Sequence, residues 1–119
     1  MRKCLTALAA LNGSAMIYGS QETGYDRTIN FFNAMTMEWN ADPTLTKAYR
    51  DAMQSLSKVD RSGAAKIYGL DGLVIVAYPK SVIAVNTTAS AVGVNLSKVA
   101  SKLGEKESIP GYGYKIWNL

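Results

Sequence analysis

Apolar residues follow one rhythm before residue 64 and another after it. In residues 26–39, Ile29, Phe32, Met35 and Trp39 recur at steps of three and four behind a possible Asp26 cap. That spacing predicts an amphipathic helix with a heavy aromatic face turned to the core, or to a second subunit. A second helix is predicted from Asp42, an N-cap followed by Pro43 at the first turn. Leu45, Tyr49, Ala52, Met53 and Leu56 share one of its sides, Lys47, Arg50, Asp51 and Gln54 the other, and Ser62-Gly63 stops it. Nearer the start, the Ala-rich residues 4–11 read as a first helix capped by Asn12-Gly13, and residues 15–18 as strand or helix continuation.

From Ala64 the period shortens. β-Branched and aromatic residues fill Lys66–Leu70 and Leu73–Tyr78, and Asp71-Gly72 between them signals a hairpin, because both residues tolerate the positive φ of a type I′ turn. Pro79-Lys80-Ser81 makes the next turn, and residues 82–85 supply a third antiparallel strand covered on both edges. Residues 87–103 read as helix, tight turn, helix: Ala89 permits close approach, Gly93 supplies the turn, and Val94, Val99 and Leu103 fall on one buried side. The expected fold is α+β in a single domain, residues 1–119. A mainly helical part, 1–63, packs on a small β-meander, and a helix-turn-helix-like pair and a short terminal strand complete residues 64–119.

Composition removes whole classes of chemistry. The 119 residues contain no histidine, which excludes serine–histidine triads, histidine general bases and histidine-ligated metals. Cys4 stands alone, so no internal disulfide and no Cys-x-x-Cys site can form. Asp42, Asp51, Asp60 and Asp71 sit in a cap, a helix face and turns, without the spacing of a metal cage or an acid–base pair. Gly69, Gly72, Gly111 and Gly113 form no nucleotide-binding pattern. No catalytic residue, metal or cofactor is expected. The basic start and residues 4–11 imitate a secretory signal as well as an ordinary helix; a cytoplasmic protein is expected, with export as the alternative. No apolar stretch approaches the ~18 residues of a membrane span.

The net charge of +4 is uneven. Beyond residue 79, Lys80, Lys98, Lys102, Lys106 and Lys115 face only Glu105 and Glu107. In the expected second helix of the pair, Asn95 caps, and Ser97, Lys98, Ser101 and Lys102 form an outer face without an acid, suited to phosphates and base edges. Thr88, Lys106 and Lys115 complete the candidate nucleic-acid-binding set.

Ala89, Gly93 and Val99 stand at the steps of the helix-turn-helix signature of bacterial and phage DNA-binding proteins, which this segment resembles. More narrowly, the hairpin, Gly93-Val94-Asn95-x-Ser97-x-Val99 and the closing Gly111-Tyr112-Gly113-Tyr114-Lys115-Ile116-Trp117 resemble the nuclease-associated modular DNA-binding repeat of phage homing endonucleases, over residues 67–117. The resemblance implies that Trp117 packs under the helix pair and that Asn95, Ser97, Lys98, Ser101 and Lys102 face DNA. The order of elements also resembles roadblock and longin-like dimeric scaffolds.

Two functions from different classes follow. The first is a small non-enzymatic DNA-binding protein, a phage or mobile-element regulator of transcription, bound to double-stranded DNA as a homodimer. The second is an adaptor or scaffold for a protein partner, in which a roadblock-like dimer or a viral structural or anti-host protein would work through its sheet without nucleic acid. Neither involves a membrane.

Overall fold

The computed structural model describes residues 16–17, 21–25, 27–30, 32–36 and 42–119. Helix α1, Pro43–Ser57, starts as its sequence dictates: the Asp42 carboxylate accepts from Leu45 N–H at 2.9 Å, and Pro43 occupies the first turn, where a missing N–H costs nothing. Leu45, Ala48, Ala52 and Leu56 are buried at steps of three and four, with Met53 beside them against the sheet. Lys58 and Val59 N–H donate to Ser55 and Leu56 carbonyls, tightening the last turn. A short 3₁₀ helix, η1 (Gln21–Thr23), packs on the start of α1, where Thr46 Oγ1 donates to Glu22 O at 2.9 Å.

Six strands follow: β1 (Lys66–Leu70), β2 (Leu73–Tyr78), β3 (Ser81–Asn86), β4 (Val92–Val94), β5 (Glu107–Ile109) and β6 (Tyr114–Asn118). Four make an antiparallel sheet in the order β1-β2-β3-β6, and β4 pairs with β5 in a separate ribbon. The first hairpin closes through Asp71 at φ 39° and Gly72 at φ 83°, the two positive angles of a type I′ turn.

The sheet is apolar on both faces. Val76, Tyr78, Ile83 and Val85 pack with Leu56 and Val59 on the helix side, joined by Tyr112, Tyr114 and Ile116. Leu73, Ile75, Val82 and Ala84 pack on the other side with Val94, Leu96 and Ile109 from the ribbon and its connections; Val99, Leu103 and Trp117 close around them. Every residue of β3 is therefore buried, as expected of a central strand covered above and below. Burial contributes roughly 1.5–3 kcal/mol for each large aliphatic side chain.

Asn86, itself fully buried, ties these layers together. Its Nδ2 donates to Ser90 O at 2.7 Å and Ile109 O at 3.1 Å, and its Oδ1 accepts from Thr88 N–H at 2.8 Å and Thr88 Oγ1 at 2.7 Å. Gly111 lies so close to this loop that a Cβ there would stand 2.0 Å from Ala89 O. Tyr112, at φ 49°, donates its N–H to Thr88 O at 2.7 Å.

The expected fold class is corrected in two places. Among the described residues α1 is the only α-helix, and the regular structure there is mostly sheet rather than helices packed on a meander. The predicted helix over residues 26–39 is absent in 27–30 and 32–36, and Phe32, placed in the core by its spacing, is 96% exposed. Asn30 Oδ1 accepts from Phe32 N–H at 3.0 Å, a local turn that competes with helix. The helix-turn-helix pair of residues 87–103 is replaced by a loop, β4 and a run of turns. Asn86 draws the 88–90 backbone into buried hydrogen bonds, and β-branched Val92 and Val94 pair with Ile109 and Glu107 instead of winding. After Asn95 a single turn forms, with Val99 and Ala100 N–H both donating to Leu96 O at 2.9 Å. The first two strands of the meander match their expected spans, β3 is one residue longer at each end than expected, a terminal strand forms as β6, and Trp117 packs into the core. The first helix with Cys4 lies outside the described residues, as do Asp26, Trp39 and all of residues 15–18 except Met16 and Ile17, which are irregular and exposed.

Candidate functional site

The eight residues expected to contact DNA differ in what their side chains do. Thr88 is half-buried and its hydroxyl is spent on Asn86 Oδ1 and Ser90 O, which makes it part of the loop's framework. Asn95 Oδ1 accepts from Ser97 N–H at 3.0 Å and Ser97 Oγ at 2.6 Å, so both side chains shape the turn after β4. Lys115, on β6, reaches Glu107 of β5 at 3.4 Å and links the ribbon to the sheet. Lys98, Ser101, Lys102 and Lys106 remain exposed in the connection from β4 to β5, and their lysines make no ion pair among the described residues.

Ser101 and Lys102 also line an open cleft of about 500 Å³ between this connection and the first hairpin. Lys66 lines it with them over an apolar surface of Ala77, Val99 and Leu119, and no carboxylate side chain lines it. Two lysines, a serine and Tyr78 are the polar side chains among its lining residues. No group of three or more His, Cys, Asp or Glu that could hold a metal occurs among the described residues.

The carboxylates hold structure. Asp42 caps α1, Asp51 pairs with Lys47 at 2.6 Å, and Asp71 lies in the hairpin turn. Asp60 accepts from the Ser62 hydroxyl and from Ser62 N–H at 3.0 Å, and lies 3.5 Å from Lys80 Nζ. The Ser62 hydroxyl, then its N–H, then the Lys80 charge hold the Asp60 carboxyl below its ordinary range. The backbone carbonyl of Asp60 also accepts from buried Ser81 Oγ at 2.7 Å, anchoring the α1–β1 connection to the sheet.

The scaffold reading expected a working surface on the sheet, and the exposed part of the sheet is β1. All five of its residues are exposed, Ile67 at 59%, Tyr68 at 37% and Leu70 at 50%, although their partners Val76, Ile75 and Leu73 are buried. The two-residue turn makes Leu70 and Leu73 a hydrogen-bonded pair, so Lys66, Tyr68 and Leu70 bond to β2 by alternation. The N–H and C=O of Ile67 and Gly69 then point away from the sheet, unpaired by it. Lys66 and Gly69 interrupting an apolar run are the available sequence signal, since edge strands tolerate both.

No helix among the described residues is long and apolar enough to cross a membrane. No family model, no curated protein and no solved structure matches this chain.

Proposed function

We propose that this protein is a non-enzymatic scaffold that binds a protein partner by adding a strand to the β1 edge. The observation that carries it is the exposure of three large apolar residues, Ile67, Tyr68 and Leu70, on a strand whose outer backbone groups have no partner in the sheet. A strand laid there gains main-chain hydrogen bonds at Ile67 and Gly69 and buries apolar side chains on both faces. The lack of histidine supports a binding role over a catalytic one, because it removes histidine-based acid–base and nucleophilic chemistry.

A photo-crosslinking residue replacing Tyr68, compared with one replacing Lys98, tests this in the protein's own cells. A protein adduct from position 68 that disappears on adding Ile67→Lys, with none from position 98, is the expected result. Adducts from position 98 alone would overturn it.

A second reading, nucleic-acid binding without a docked helix, draws support from Lys98, Lys102 and Lys106, unpaired within nine residues of chain. Phosphate contacts of this kind predict affinity that falls steeply with salt and is lost in the Lys98→Glu/Lys102→Glu variant. Duplex-DNA anisotropy at about 50 and 200 mM salt separates the two readings.

A further inference from the structure

We infer that the strand added to β1 is the β1 of a second copy, paired antiparallel about a two-fold axis through Tyr68, so that two four-stranded sheets become one of eight strands. This rests on the proposed role of the β1 edge and names its occupant.

The register follows from which groups are open. Antiparallel pairing about Tyr68 sets Ile67 opposite Gly69 of the other copy, and Gly69 opposite Ile67. These are the two residues whose N–H and C=O face outward, so both pairs are hydrogen-bonded ones, and Tyr68 meets Tyr68 at the close, non-bonded position. No outward backbone group of the strand is left over.

The side chains are complementary in the same register. Ile67 and Gly69 lie opposite Val76 and Val74, both of the helix-side core, so they share that face. A Cβ built on Gly69 meets no atom within 4 Å, leaving open space above the strand there. The two-fold brings the exposed Ile67 of each copy over that space. On the opposite face Tyr68 stacks beside Tyr68, and Leu70 lies across from the aliphatic stem of Lys66. The two Lys66 side chains, the only charges on the strands, sit at opposite ends of the pairing, so like charges never face each other.

A five-residue edge is small against the ~1,200–2,000 Å² of standard interfaces, so the dimer is a reversible one that forms at roughly micromolar to submillimolar protein. Tyr68→Cys in a Cys4→Ser background tests the register. The non-bonded pair places the two Cα atoms about 4.5 Å apart, within disulfide reach, whereas Leu70→Cys lies roughly 13 Å from its copy, outside it. Mild oxidation is expected to give a disulfide dimer from Tyr68→Cys and none from Leu70→Cys. Sedimentation is expected to show dimer formation weakened at least tenfold by Ile67→Lys, an exposed change that leaves the fold intact.

A chain that stays monomeric at submillimolar concentration, equal cross-linking at 68 and 70, or a dimer indifferent to Ile67→Lys overturns the inference. Amide exchange tells that failure from failure of the edge itself. In a chain that stays monomeric at submillimolar concentration, rapid exchange at Ile67 and Gly69 rejects the second copy and leaves the edge open to another protein. Protection at both in a monomer rejects the edge as well.

Discussion

Replacing Asn86 by Ala removes a side chain that makes four hydrogen bonds from a fully buried position. The bond to Ile109 O is buried, and a carbonyl left without that donor costs about 1–3 kcal/mol. The bonds to Ser90 O and to Thr88 N–H and Oγ1 are partly buried, where water replaces some of the loss, at roughly 0.5–1 kcal/mol each. The expected total is about 4 kcal/mol, a large share of the 5–15 kcal/mol that holds ordinary domains, and lowers the Tm by about 15–20 °C. Urea unfolding followed by tryptophan fluorescence reads it, since Trp117 packs on the same layer. Asn86→Asp sharpens the test: the carboxyl keeps both bonds from Thr88 but faces the Ser90 and Ile109 carbonyl oxygens where the amide donated. Burial and those oxygens raise its folded pKa above the unfolded ~3.9, so its stability is retained below that value and lost as pH rises through the folded one. The deficit against the wild-type chain should therefore grow from pH 4 to pH 7. A loss under 1 kcal/mol for Asn86→Ala, or a pH-independent deficit for Asn86→Asp, would refute Asn86 as the tie between the layers.

Gly111→Ala places a Cβ 2.0 Å from the Ala89 backbone, and a drop of at least about 3 kcal/mol is expected in the same unfolding assay. Asp42→Ala removes the cap on Leu45 N–H and should cost about 1 kcal/mol, with circular dichroism showing a loss of helix confined to the first turn of α1. Asp60 is ionised more readily when folded than when unfolded, so its contribution is present above the ordinary 3.8 and lost as pH falls through the lowered value. Ser62→Ala should move the Asp60 titration, followed by carboxyl carbon NMR, back up toward that ordinary value, since the Ser62 hydroxyl is the largest cause of the shift.

The sequence resolved elements whose own residues decide them. Asp42-Pro43 and the apolar spacing behind it make α1 wherever it packs, and Asp71-Gly72 fixes the first hairpin without help from the rest of the chain. Elements decided by a distant partner were misread. Val92-Gly93-Val94 is too short for its period to be diagnostic, and it becomes a strand because Glu107–Ile109 lies beside it. Nothing in the local sequence singles out Asn86, yet its amide spans 23 residues to Ile109 and holds the 88–90 loop away from helix. The basic residues of the last third are present and partly exposed, but Lys98, Lys102 and Lys106 lie in turns and irregular chain after β4 rather than on a helix, and Lys115 goes to Glu107. The exposure of β1 depends on sheet order: the same pattern in the centre of the sheet would read as core.

Residue-resolved amide exchange across β1 in dilute protein reads whether the outer edge of this strand is open. Alternation is expected, with Lys66, Tyr68 and Leu70 protected by their bonds to β2, and Ile67 and Gly69 exchanging rapidly until a partner strand is added. Slow exchange at Ile67 and Gly69 in the isolated, dilute chain would mean that the edge is already covered, and would contradict strand addition at β1.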